Sequence, residues 1–215
     1  MTASMSIDEL IAGHAAGRLP EPVAMVIATH LALSPESRRL YDGYNEVGGV
    51  LLDGIEPIPV SDKCFEQTIA ALDWDQSDAD VANYGPCQSG RWPSPLSDYL
   101  SDTTDEKRWR HYGSASELDI ETSSTDFRVR LIRVKAGRAV PRHTHRGLEL
   151  TLVLEGAYRD EFGRFACGDI AIADGDIDHQ PVAEAGRDCF CLAVTDAPLR
   201  LTGRFGRFLN PFIEV

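Results

Sequence analysis

The residues best suited to chemistry stand together in one stretch, Gly137-Arg-Ala-Val-Pro-Arg-His143-Thr-His145-Arg-Gly-Leu-Glu149, with Gly156 beyond it. His143 and His145 are two apart, so in a strand both imidazoles leave the same face, and Glu149 returns to that face after a turn at Gly147. His179 follows Asp174-Gly175, where a neighbouring strand of a rolled sheet can deliver a fourth donor. Three imidazoles and a carboxylate suit zinc, and equally iron, nickel or manganese. The expectation is therefore a metal site made of His143, His145, Glu149 and His179. A polar pocket lined by histidines would explain one of them, but it explains less well a set of donors at this spacing with a glycine on either side. No separate acid/base pair stands beside the motif.

Cys189 and Cys191 form a second candidate pair. Two apart in a strand they share a face, but their Cα atoms would then lie ~6.5–7 Å apart, at the outer limit of disulfide geometry. Oxidation to sulfenic acid or pairing with a cysteine elsewhere is one reading, and one or both as small core hydrophobes is the other. Cys64, Cys87 and Cys167 read as structural or incidental.

Two kinds of element must position these groups. The first part of the chain has helical spacing. Ser6 with Glu9 is a capping-box pattern ahead of Leu10 and Ile11, and Gly17 can end that helix. Pro20 or Pro22 opens a second helix carrying Val23, Val26, Ile27, His30 and Leu31. Ser34-Pro35 opens a third, expected to run through Tyr44 and Val47 to Gly48-Gly49, and a shorter helix covers Cys64 to Leu72. From residue 73 the composition shifts to Asp, Ser, Gly and Pro, which reads as a linker. After it the period shortens to two, in Phe127 to Val134, Leu148 to Leu154, Asp169 to Ile172 and Phe190 to Val194. The expected organisation is a multidomain α + β chain: a helical bundle over 1–72, a linker over 73–94, and an antiparallel β barrel or sandwich over 95–215.

The 215 residues carry 34 acids against 21 bases, a formal charge of −13, with 43% hydrophobic and 26% charged residues. That composition belongs to a folded soluble chain with a real core. The longest apolar run, Val23 to Ala28, is far short of the roughly 20 residues a membrane helix needs. The start lacks the charged and apolar regions of a secretory signal, so the cytoplasm is expected. Residues 1–90 hold a net −10 and the remainder −3. Such a first segment should repel nucleic acid and attract something basic.

The pattern G-x5-H-x-H-x3-E-x6-G, from Gly137 to Gly156, resembles the first cupin motif, and His179 stands where the second cupin motif supplies its histidine. The region from about residue 95 thus looks like a cupin, an antiparallel jelly-roll barrel. Ahead of it, Val26-Ile-Ala-Thr-His30-Leu-Ala-Leu-Ser34-Pro-Glu-Ser37 resembles the helical domain of ChrR-type anti-sigma factors, which join a zinc-binding anti-sigma domain to a cupin-like domain. The resemblance spans nearly the whole chain. It implies a regulator that sequesters an extracytoplasmic-function sigma factor and releases it under singlet oxygen or related oxidants. It also implies one zinc per chain in the cupin domain, an oxidant-linked role for Cys189 and Cys191, and no direct contact with nucleic acid or membrane. Cupins often dimerise through their sheets, so a homodimer is a further expectation. In that family the anti-sigma zinc site uses His-x3-Cys-x2-Cys and an upstream histidine. Here Ser34 and Ser37 occupy the cysteine positions, and the upstream position near Met5 has no histidine. A serine hydroxyl is a poor zinc ligand near neutral pH, so no zinc is expected in the helical segment. The alternative reading, from a different class, is a cupin metalloenzyme such as a dioxygenase working with the same three histidines and glutamate.

Overall fold

The computed structural model describes residues 5–72, 92–100 and 108–203. The expected linker over 73–94 lies almost wholly outside the described residues, as does Cys87. Helix α1, Ile7–Ala15, begins at the capping box: the Ser6 hydroxyl accepts the Glu9 amide, and the Glu9 carboxylate accepts the Ser6 amide at 2.8 Å. Helix α2, Glu21–Leu33, has Pro22 in its first turn and is buried nearly all round. That makes it a core helix rather than an amphipathic surface one. Helix α3, Pro35–Asp53, starts at Ser34, whose hydroxyl accepts the Ser37 amide.

Helix α3 does not stop at Gly48-Gly49, as expected, but continues to Asp53. A glycine inside a helix costs about 1 kcal/mol against alanine, which weakens the helix without terminating it. Val50, Leu51 and Leu52 carry the pattern on. Helix α4, Asp62–Leu72, starts two residues before Cys64, and α5 is the short Leu96–Tyr99.

Among the described residues the strands form three antiparallel sheets. The largest comprises β1 (Arg110–Tyr112), β2 (Ala115–Ile120), β3 (Arg128–Val134), β5 (Glu149–Glu155), β8 (Ile170–Ala173) and β11 (Cys189–Thr195), in the order β1-β2-β3-β11-β5-β8. A three-stranded sheet joins β10 (Val182–Ala183), β6 (Ala157–Arg159) and β7 (Arg164–Ala166). Another joins β12 (Leu199–Leu201), β4 (His143–His145) and β9 (Asp178–His179).

The central strands of the large sheet have two covered faces. On one, Leu118, Leu131, Leu150, Leu152, Leu192 and Val194 pack into one cluster with Leu10, Ile11, Val26 and Ile27 of α1 and α2. The helices and the sheet therefore share a core, with α2 lying across β5 and β11. On the opposite face Val134, Val153, Cys189 and Cys191 pack with Tyr158 and Ala183. This face and the two small sheets enclose a cavity of about 110 Å³. Covered on both faces, β5 and β11 bury most of their residues, whereas β3 leaves Arg128 half-buried and Arg133 exposed. Among the described residues no helix is long and apolar enough to cross a membrane.

Candidate metal centre

Strand β4 sends His143 and His145 inward with Thr144 between them, the alternation that the two-residue spacing demands. Strand β9 pairs antiparallel with β4 so that His179 lies directly opposite His143. Glu149 is the first residue of β5. The turn before it is fixed by Asp196, whose carboxylate accepts the Leu148 amide at 2.7 Å. A Cβ at Gly147 would collide with that carboxylate and with the Ala197 methyl, so a larger residue would displace the Asp196 side chain that fixes the turn. Gly156, which closes the motif, has φ +74, and a Cβ there would stand 2.5 Å from the Asp188 carbonyl oxygen.

The four expected ligands thus meet, with their donor atoms all within 4.8 Å of one another. His179 Nε2 lies 3.2 Å from His143 Nε2 and 3.5 Å from His145 Nε2. The rings of His143 and His179 turn their Nδ1 atoms outward to acceptors, the Pro141 carbonyl at 2.7 Å and the Asp160 carboxylate at 2.9 Å. With protons held on Nδ1, the Nε2 lone pairs face one another. A shared cation satisfies such an arrangement, whereas apolar packing does not. His145 Nδ1 stands 3.2 Å from Glu149 Oε2 without a well-formed hydrogen bond, and Glu149 also accepts the Thr151 hydroxyl at 2.8 Å.

Electrostatics favours the metal-ready protonation states. Burial pushes His143 down to about 4 and also lowers His145, against the pull of Glu149. Burial works against the Glu149 carboxylate, but His145, His143, the Thr151 hydroxyl and Arg130 outweigh it and keep it below its usual range. Neutral imidazoles and an ionised carboxylate are the forms that bind a divalent cation.

Cys189 and Cys191 line the same cavity as His143, Glu149 and His179. Their Sγ atoms are 3.7 Å apart, in contact but not bonded. The pairing of β11 with β5 shifts register between Phe190 and Cys191, within this pair. Burial and its neighbour raise the Cys191 thiol well above its ordinary value, led by the contact with Cys189. The raised Cys191 thiol keeps its proton near neutral pH.

Sequence reasoning missed several groups. Arg130 is buried at 3% exposure, reaches Glu117 at 3.2 Å and leaves its Nε without a partner. Its inward position on an alternating strand was the available signal. Asp160 and Thr151 had none, because neither belongs to a spaced pattern.

His30 is buried, and both ring nitrogens are engaged. Nδ1 lies 2.8 Å from the Gly168 carbonyl on the β side, and Nε2 lies 2.7 Å from the Ser37 hydroxyl. The Ser34 hydroxyl in turn donates to that of Ser37 at 3.1 Å.

A small β barrel with two histidines and a glutamate from one motif and a third histidine from a paired strand defines a cupin with a candidate metal centre. Residues 103–198 match the family model described as the ChrR Cupin-like domain. Over 209 residues the chain is 42% identical to the anti-sigma-E factor ChrR of Cereibacter sphaeroides, covering 97% of this chain and 96% of that protein. The crystal structure of Rhodobacter sphaeroides SigE in complex with the anti-sigma ChrR matches 90% of this chain and 98% of that one, with a TM-score of 0.72 at 41% identity. The chain belongs to the ChrR family, whose curated relative is a regulator rather than an enzyme.

Proposed function

We propose that this chain is an anti-sigma factor that holds an extracytoplasmic-function sigma factor through residues 1–72 and carries its sensor in a cupin domain over 95–215. The observation that carries this reading is an exposed apolar surface on the helical segment, packed on nothing among the described residues. Along the second half of α3, through the following loop and along α4, Val50, Leu51, Leu52, Ile58 and Phe65 are between 67% and 85% exposed. A run of that kind marks a protein interaction site. The related ChrR is seen bound to SigE, which supplies the class of partner. The net −10 of residues 1–90 complements basic sigma surfaces that contact promoter DNA.

In this reading the cupin site holds one zinc through His143, His145, Glu149 and His179. Zinc would supply a closed structural centre tying β4, β5 and β9 together. The helical segment needs no zinc of its own, because the hydrogen-bonded chain from Ser34 through Ser37 and His30 to Gly168 occupies that position. Singlet oxygen or a related oxidant attacks histidine or cysteine in the cavity, the centre loosens, and the contact between sheet and helices changes so that the sigma factor is released in the cytoplasm.

Size-exclusion chromatography of the purified chain with its cognate sigma factor tests the central part. A stable complex is expected, and separate elution of the two proteins would overturn it. Metal analysis separates the enzyme alternative: one zinc per chain is expected, while iron with oxygen uptake would favour dioxygenase chemistry.

A further inference from the structure

We infer that Asp160 is a positioning residue for the metal centre: it fixes the His179 ring so that Nε2 is the atom presented to the ion. This deepens the metal-site reading and rests on it. Asp160 stands at the end of β6, at the turn into β7, and its side chain is only 2% exposed. One carboxylate oxygen lies 2.9 Å from His179 Nδ1. The other accepts the Phe162 and Gly163 amides at 2.8 and 3.1 Å, so the turn itself holds the carboxylate in place.

A neutral imidazole has one N–H, and a carboxylate can only accept. The proton therefore stays on Nδ1 and the lone pair on Nε2 faces the other ligands. A buried carboxylate behind a ligating imidazole also strengthens that ring as a donor. The next residue extends the same device. Glu161 accepts the Gln180 amide at 3.0 Å and pairs with Arg142. Gln180 follows His179 and Arg142 precedes His143, so the β6–β7 turn clamps both strands that carry histidine ligands.

The test compares the full-length chain with Asp160→Asn. Asparagine keeps the size and an oxygen for the two turn amides, but its NH2 would face His179 Nδ1. That donor requires a lone pair on Nδ1, which moves the proton to Nε2 and blocks the ligand. Zinc affinity, measured by competition with a chromophoric chelator, should fall by about 10–100-fold while the melting temperature of the metal-free protein stays unchanged. Equal affinity in both proteins would overturn the inference. If the unsubstituted chain itself takes up no zinc, the metal-site reading fails as well. A second measurement does not depend on the variant folding. Long-range 1H–15N NMR of the metal-free wild-type chain should show His179 protonated on Nδ1, and a proton on Nε2 would contradict the assignment.

Discussion

His30 uses both ring nitrogens to join two parts of the molecule, accepting at Nε2 from Ser37 and donating at Nδ1 to Gly168. Burial lowers its pKa from 6.5, opposed by the Gly168 carbonyl and Asp169. A histidine whose folded pKa is depressed stays neutral in the fold while the unfolded chain takes up the proton first. Its contribution is then fully present above pH 6.5 and is lost as pH falls below it. His14, His143 and His145 shift in the same direction, so the wild-type chain should lose stability on acidification. His30→Gln should show a shallower loss by chemical denaturation on crossing pH 6.5; parallel curves would remove His30 from this account. At the candidate metal centre, His143→Ala together with His145→Ala removes two of four potential donors, so the zinc proposed to bind there should be absent from the purified variant. Retention of one zinc per chain would place the metal elsewhere. The clustering of His143 with His145 was legible in the sequence because β alternation is local, whereas the meeting with Glu149 and His179 needed the Gly147 turn and the pairing of β9 with β4. Asp160 was not legible, since its approach to His179 depends on the pairing of distant strands.

Helices α1 and α2 do more than form a bundle. Ile27 is fully buried in the cluster shared with Leu150, Leu152 and Leu192. Replacing it by alanine should cost about 2–5 kcal/mol, read as a shift in the denaturation midpoint. A change under about 0.5 kcal/mol, the range of surface substitutions, would show that α2 does not dock on the sheet in solution. The helical pattern announced an apolar face on α2, but apolar residues look alike whether they meet a helix or a sheet. The far half of α3 is the opposite case: its residues pack on nothing described. Leu51→Asp, with the leucine 69% exposed, should leave the melting temperature nearly unchanged and weaken sigma binding by at least tenfold, about 1.4 kcal/mol. Unchanged affinity would place the interface elsewhere. Glycine pairs commonly stop helices, yet α3 runs past Gly48-Gly49 to Asp53. Here the leucines that follow restore helix propensity.

At the scale of the whole molecule, the shared core predicts one cooperative thermal transition for helices and sheet together. Two well-separated transitions would mean that the helical segment unfolds on its own. In the proposed complex, the acidic excess on residues 1–90 and the exposed apolar run on α3 and α4 would act on the partner in different ways. Screening weakens the first, and salt leaves the second largely intact. Affinity for the sigma factor should therefore fall with rising salt without vanishing. Transcription by RNA polymerase from a promoter of the cognate sigma factor tests the central claim most directly. Adding the zinc-loaded chain should abolish run-off product at one equivalent per sigma factor, and illumination with a photosensitiser that makes singlet oxygen should restore it. Undiminished transcription at saturating protein would contradict the account.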